Sequence, residues 1–182
     1  MFATIYLPNF YLQAVLRHQT KLRGQPVALI DTAERKVNII ELNDLAEKAG
    51  IRKGMTPSQA LARCLSVVIK TRERAQENVI AEILLQHAFM LSPWVEATAP
   101  GVCTVQLSHQ DPAEDSSAAH QYYPKVSRVV EKLNRCGVTA QAGIAPLPDA
   151  SFFAAHLARP VLHVERVKDF LDPLPIETLT FA

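Results

Sequence analysis

The sequence predicts an α/β protein, α+β in detail, with a small basic lobe inserted near its start, and three observations predict it. Short β-branched or apolar runs alternate with stretches at helical spacing from end to end. Charge is unevenly placed: residues 1–74 hold 12 Lys and Arg against 6 Asp and Glu, while residues 75–182 hold 7 against 12. With 182 residues, 48% hydrophobic and 20% charged, the chain can bury one good core plus a lobe.

Phe2–Leu7 is an apolar run bounded by Pro8 and reads as a buried first strand. Asn9 stands where it can cap a helix whose apolar positions are Leu12, Val15 and Leu16. Val27–Ile30 and Lys36–Leu42 read as strands, and Asp44–Ala49 as a short helix stopped by Gly50. Thr56-Pro57-Ser58-Gln59 has a capping Thr, a Pro in the first helical position and a Gln three residues on, so it opens the next helix. Ser66–Lys70 follows as a strand. The longest helical pattern runs from Arg72 to Leu91, with Ile80, Ile83, Leu84, His87 and Leu91 on one face; His87 there reads as a hydrogen-bonded core histidine.

Val95–Ala97 and Val102–Leu107 are two strands meeting at the turn Ala99-Pro100-Gly101. Ser108–Ala119 is polar and acidic and reads as a surface loop, flanked by His109 and His120 without paired metal-ligand spacing. A helix with Val126, Val129, Val130 and Leu133 on one face stops at Gly137, then come the strand Val138–Ile144 and the helix Ser151–Leu157. The proline-punctuated tail 160–182 reads as a linker with one helical piece around Val164–Leu171. Taken together, strand, helix, two strands, helix and strand fit a ferredoxin-like sheet, antiparallel or mixed, with helices on one face.

Three scattered cysteines, Cys64, Cys103 and Cys136, argue against a disulfide framework or a zinc site and for a reducing cytosol. No apolar run approaches the roughly 18–20 residues that span a bilayer. The start, Met1-Phe2-Ala3-Thr4, lacks a basic segment ahead of an apolar one, which argues against a secretory signal. The basic first part suits a polyanion-facing surface, and equally an unevenly charged solvated one.

Four segments resemble, in order and at its spacings, the Y-family (DinB/UmuC-like) DNA polymerases. Leu22-Arg23-Gly24-Gln25-Pro26-Val27-Ala28 is similar to that family's "LRGxPVAV", and Ala49-Gly50-Ile51-Arg52-Lys53-Gly54-Met55-Thr56 to its "xGVRxGM". Leu91-Ser92-Pro93-Trp94-Val95-Glu96 stands where the family has "FTPxVE", and Ala142-Gly143-Ile144-Ala145 resembles the start of "xGIAxNK". The resemblance implies a palm over 1–18 and 76–165, inserted fingers over 19–75, and the start of a linker or thumb over 166–182. The thumb, little finger and C-terminal clamp-binding tail would lie outside this chain.

Active members of that family hold two Mg²⁺ ions with a carboxylate ending the first strand and an adjacent Asp-Glu pair on a second. Here the resemblance places Leu7 at the first position, with Asn9 in place of an Asp two residues on, and Gly101-Val102 at the pair. Where the family clamps a triphosphate with a Tyr and an Arg, this chain has Asp44 and Glu47, and the lysines of its "xNK" turn become Pro146 and Pro148. The aromatic that screens ribose falls at Leu12, or by a slip of one at Tyr11. Other acids (Asp31, Glu34, Glu41, Asp44 and Glu96) do not pair at a strand end as two-metal chemistry requires.

Ile5-Tyr6-Leu7-Pro8-Asn9-Phe10 is similar to the "LYLPxF" of the ImuB-type, non-catalytic subgroup. The resemblance then implies no enzyme activity, no cofactor, a lost Mg²⁺ site and a cytoplasmic setting. The implied partners are primer–template DNA and, for the whole protein, a sliding clamp, a RecA-like partner and an error-prone DnaE-type polymerase, with no membrane. Candidate phosphate contacts are Arg52, Lys53, Arg63, Lys70, Arg72 and Arg74. Two alternatives stay open: an active but divergent translesion polymerase, and a pure protein-docking module.

Overall fold

The computed structural model describes residues 1–22, 24–33, 35–107, 118–176 and 178. The chain folds as two compact units: Met1–Pro8 with Ala81–Ala182, and Asn9–Ile80.

The first unit is built on β1 (Phe2–Tyr6), β5 (Val95–Ala99), β6 (Val102–Gln106), β7 (Gln141–Ala145) and β8 (Val161–His163), in the order β5-β6-β1-β7-β8. β1 pairs antiparallel with β6 and β7, β5 antiparallel with β6, and β8 parallel with β7. Placing the first strand between the third and fourth of a βαββαβ series gives the ferredoxin-like arrangement, with β8 added at one edge. Its helices are α5 (Ala118–Arg135), α6 (Pro148–Leu157), α7 (Val167–Leu171) and the part of α4 (Arg74–Ala88) from Ala81 onward.

Strand alternation sends Ala3, Ile5, Cys103, Val105, Ala142 and Ile144 to one face of the sheet, all of them fully buried. Thr4 and Gly143 point to the other, where α6 lies. Gly143 has to be glycine for packing reasons: a Cβ there would collide with backbone atoms of Ser151 and Ala155. The buried stripe of α5 is the predicted one, Val126, Val129, Val130 and Leu133.

The tail differs from expectation. Val161–His163 is a strand rather than linker, and Val164 packs with Ala145, Ala150 and Ala154, joined by Leu162, Val167 and Phe170. Three residues are too few to show strand alternation in a sequence, and parallel pairing with β7 supplies the order. Of the polar loop expected over 108–119, residues 108–117 lie outside the described residues, and Ala118 and Ala119 belong to α5.

The second unit holds β2 (Val27–Ile30), β3 (Ile39–Leu42) and β4 (Val68–Thr71) in the order β3-β2-β4, antiparallel then parallel. Alternation along β2 divides its core. Ala28 packs with Ile39, Leu42, Ala46, Ile51 and Ala60, which brings in α2 (Asp44–Lys48) and α3 (Pro57–Arg63). Val27 and Leu29 pack with Leu12 and Val15 of α1 (Phe10–Leu16). That second cluster is why the division falls after Pro8, ten residues before the expected boundary at 18: α1 buries its apolar face within this unit. The capping box at α3 forms as read, with Thr56 Oγ1 accepting from Gln59 N–H and Gln59 Oε1 accepting from Thr56 N–H. Gly50 and Gly54 both sit at φ 85°, the left-handed region a β-carbon disfavours.

Among the described residues no helix is long and apolar enough to cross a membrane. None of the three cysteines forms a disulfide.

Candidate functional site

The end of β1 meets the start of β6. Tyr6 is registered opposite Val102, and the Leu7 N–H donates to the Gly101 carbonyl at 2.8 Å. Gly101, at φ 75°, turns the β5–β6 hairpin so that its carbonyl reaches the strand end. The fold therefore brings Leu7, Gly101 and Val102 together. Leu7 is fully buried and Val102 only 5% exposed, so their hydrocarbon side chains are packing, not display. Beside them burial pushes the Cys103 thiol up to about 12, which keeps it protonated at neutral pH.

Mg²⁺ needs several oxygen ligands in near-octahedral array. Leu7 and Val102 offer carbon, Gly101 offers no side chain, and its carbonyl is already accepting a hydrogen bond. These residues do not fit a two-metal centre. Asn9 does not take the capping role expected of it: it sits at φ 49° and makes no side-chain cap to α1. Asparagine tolerates that left-handed conformation better than most residues. Among the described residues, no three His, Cys, Asp or Glu side chains form a metal-binding group.

A row of hydroxyls crosses the α6 face. Thr98 bonds Thr104 at 2.9 Å, Thr104 bonds Thr4 at 3.2 Å, Thr4 bonds Ser151 at 2.7 Å, and Ser151 donates to the Pro148 carbonyl. Further along α6, the His156 ring stacks on Tyr6 with centroids 4.0 Å apart. Its Nδ1 lies 2.9 Å from the Phe152 carbonyl, and burial holds its pKa below the usual imidazole value. His156 is thus a neutral, stacked ring at neutral pH.

In the second unit, Asn43 caps α2 and its amide oxygen also accepts from Val27 N–H. Asp44 and Glu47, both exposed, occupy the first turn of that helix, where negative charge suits the helix dipole. Glu41, 9% exposed, points its carboxylate at the start of α1 and accepts from the Leu12 N–H at 2.7 Å. Burial raises its pKa, and that hydrogen bond opposes the rise. Leu12 itself is 3% exposed.

The basic residues divide. Arg52, Lys53, Arg63 and Arg74 are exposed, and Lys70 is half-buried on β4. Arg63 reaches the Gly50 turn, and Arg52 donates to the Glu47 and Ile51 carbonyls beside it, so Arg52, Lys53 and Arg63 share one region. Arg72 is different. Its guanidinium binds Glu77 through Nε at 2.9 Å and Nη2 at 2.7 Å, binds Asp31 through Nη1 at 2.8 Å, and lies 3.9 Å from the Tyr11 ring centre. Three of its five N–H donors are committed to internal partners and its side chain is 16% exposed, so it is less available to a phosphate than the exposed basic residues. Asp31 is held below the usual carboxylate range, first by the Ala33 N–H and then by Arg72. Of the remaining acids considered for a relocated metal site, Glu96 is exposed on β5 and Glu34 lies outside the described residues.

A family model described as the impB/mucB/samB family matches residues 5–156. The chain belongs to the impB/mucB/samB family. It is 26% identical over 180 residues to DNA polymerase IV of Pseudomonas syringae pv. tomato, covering 93% of this chain and 48% of that protein. It is 27% identical over 183 residues to DNA polymerase IV of Pectobacterium atrosepticum, with the same coverage. The chain therefore spans about half the length of these relatives. Its fold superposes on an insertion ternary complex of Dbh DNA polymerase with a TM-score of 0.80, 14% identity, and coverage of 97% of this chain and 53% of the other. DinB from Sulfolobus solfataricus gives a TM-score of 0.77 at 15% identity, covering 97% and 52%. Identities this low make the likeness one of fold: the Y-family polymerase palm and fingers.

For this impB/mucB/samB family member, strand direction places the two prolines of the "xNK"-like turn. β7 runs antiparallel to β1 with Ala145 opposite Phe2, so Pro146 and Pro148 lie beyond the start of β1, the opposite end from Leu7. Five strand residues separate the two ends, roughly 15 Å. Pro148 instead occupies a helix-opening position on α6. The residue that does approach the Leu7 end is His156, stacked on Tyr6, which sequence reasoning missed. Its only signal was position: it falls two helical turns beyond Pro148 on a helix that follows β7.

Proposed function

We propose that this chain is the palm-and-fingers part of a non-catalytic, ImuB-type Y-family polymerase homologue. It serves as a DNA-associated scaffold in a bacterial translesion-synthesis complex in the cytoplasm. The observation that carries the proposal is the packed contact of Leu7 with Gly101 and Val102, where two-metal nucleotidyl transfer needs three carboxylates. Asp44 and Glu47 support it, because anions at the positions of a triphosphate clamp repel the ligand that a Tyr and an Arg would hold. A palm without ligands for metal and triphosphate retains a surface, and the surface is what a scaffold uses.

Exposed Arg52, Lys53 and Arg63 support contact with a nucleic-acid backbone, which is sequence-independent and salt-sensitive. In this reading the whole protein recruits a sliding clamp, a RecA-like partner and a DnaE-type polymerase, and the last of these performs synthesis. Primer extension with Mg²⁺ and all four deoxynucleotides, using the protein that carries this chain, tests the proposal. The expected result is no incorporation above the protein-free control until an error-prone polymerase is added. Incorporation by the protein alone would transfer the assignment to a divergent but active translesion polymerase.

A further inference from the structure

One flank of α5 carries Lys125, Arg128, Lys132 and Arg135, whose spacings of three, four and three residues place them on a single stripe. The stripe stands out because residues 75–182 carry 7 Lys and Arg against 12 Asp and Glu. Lys125, Arg128 and Arg135 are exposed and Lys132 half-buried. Arg135 makes a loose 3.9 Å contact with Glu131, both side chains being more than half exposed. Among the described residues, Lys125, Arg128 and Lys132 have no carboxylate within salt-bridge distance.

The stripe adjoins an apolar cluster. Lys132 Nζ lies 3.9 Å from Met90 Sδ, in the turn that leaves α4. That turn also presents Phe89 and Trp94; Phe89, Met90 and Trp94 are 55%, 56% and 59% exposed. Large apolar side chains left this open beside unpaired cations are the composition of a recognition surface, since aromatic and Met side chains supply contact area and the cations orient an anionic partner.

We infer that the α5 stripe and the Phe89–Trp94 turn form a docking surface for a partner protein's acidic segment bearing apolar anchor residues. Charge complementarity selects the occupant. Nucleic acid is the poorer match, because a long polyanion meets the repulsion of the whole acidic region, whereas a short segment senses charge within about one Debye length of roughly 8 Å. The inference stands on residues separate from the strand end at Leu7 and holds whether or not the protein performs nucleotidyl transfer.

The test is selection of short random peptides displayed on phage against the intact chain, followed by fluorescence anisotropy with the enriched peptides made synthetically. The expected result is enrichment of sequences combining Asp or Glu with Trp, Phe or Leu. Their affinity should fall about tenfold or more with Trp94→Ala and with Lys132→Glu. None of the altered side chains is buried in the core, so circular dichroism should report an unchanged fold, and the exposed Arg128→Glu serves as a second variant should either one misfold. Failure to enrich acidic–apolar peptides, or enriched peptides that bind the variants as tightly as the parent, overturns the inference. So does a single-stranded oligonucleotide whose binding is lost with the same variants while the peptides do not bind, since the surface would then be a nucleic-acid site.

Discussion

The strand end at Leu7 and the Arg72 cluster treat charge in opposite ways. At the first, positions where the family resemblance expects carboxylates hold Leu7, Gly101 and Val102, and the space is filled by hydrocarbon. At the second, an arginine, Asp31 and Glu77 pair with little exposure, 16% for the Arg72 side chain and 11% and 9% for the acids. Desolvating such groups is expensive and is offset only by good geometry. Arg72 has it: two parallel bonds to Glu77, one to Asp31 and an aromatic face at Tyr11. These partners raise the Arg72 pKa, with the Glu77 hydrogen bonds contributing most. The difference teaches that charge in this molecule is retained where it ties α1, α4 and the residues just after β2 and β4 together within one unit. It is absent at the strand end, where Leu7 and Val102 are packed.

The largest expected effect comes from reversing the first region. Leu7→Asp places a carboxylate at a fully buried site with no cation beside it, which should destabilise the first unit by about 3–5 kcal/mol in urea unfolding. Burial would raise that carboxyl's pKa, so the loss should be greater at alkaline than at mildly acidic pH. Added Mg²⁺ should leave the unfolding midpoint unchanged. A Mg²⁺-dependent rescue would reveal a latent ligand set and break the contrast.

Arg72→Ala comes next, at about 2–4 kcal/mol, because it leaves two carboxylates largely buried without their cation. An effect below about 0.5 kcal/mol would show the cluster to be ornamental. Arg72→Lys sharpens the same point: an ammonium keeps the charge and loses the fork to Glu77, so about half of that loss should remain.

The smallest effect concerns Glu41. Its folded pKa is raised above the ordinary glutamate value, so the folded state holds the proton more tightly than the unfolded chain. Its contribution to stability is therefore most favourable at low pH and declines as pH rises from about 4.5 through the folded pKa. Glu41→Gln removes that decline while retaining an acceptor for Leu12 N–H. The stability difference between parent and variant should drift steadily against the parent as pH rises from 4.5 to 8. Drift in the other direction would mean that the hydrogen bond outweighs desolvation.

How much of this was legible in the sequence depends on range. Thr56, Pro57 and Gln59 announce α3 because capping is decided within four residues, and Gly50 ends α2 for the same reason. The ferredoxin-like strand order was legible through element sequence and resemblance together. The internal tie made by Arg72 was not legible because its partner Asp31 lies 41 residues away and nothing local predicts the pairing. Asn9 has the residue type of a cap, yet its left-handed backbone gives it another conformation, and the Glu41 carboxylate meets the start of α1 instead. Pro146 and Pro148 were named by motif alone, and only the antiparallel direction of β7 shows that they lie beyond the start of β1, away from Leu7. Direction and register are properties of pairing, and a single strand's residues do not carry them.

The most direct test of the central claim is isothermal titration of a deoxynucleoside triphosphate with Mg²⁺ into this chain, beside one of the DNA polymerase IV relatives. The account predicts no heat of binding here and clear binding in the relative. Binding that Mg²⁺ strengthens would contradict it, and would mean that side chains other than Leu7, Gly101 and Val102 have rebuilt a nucleotide site.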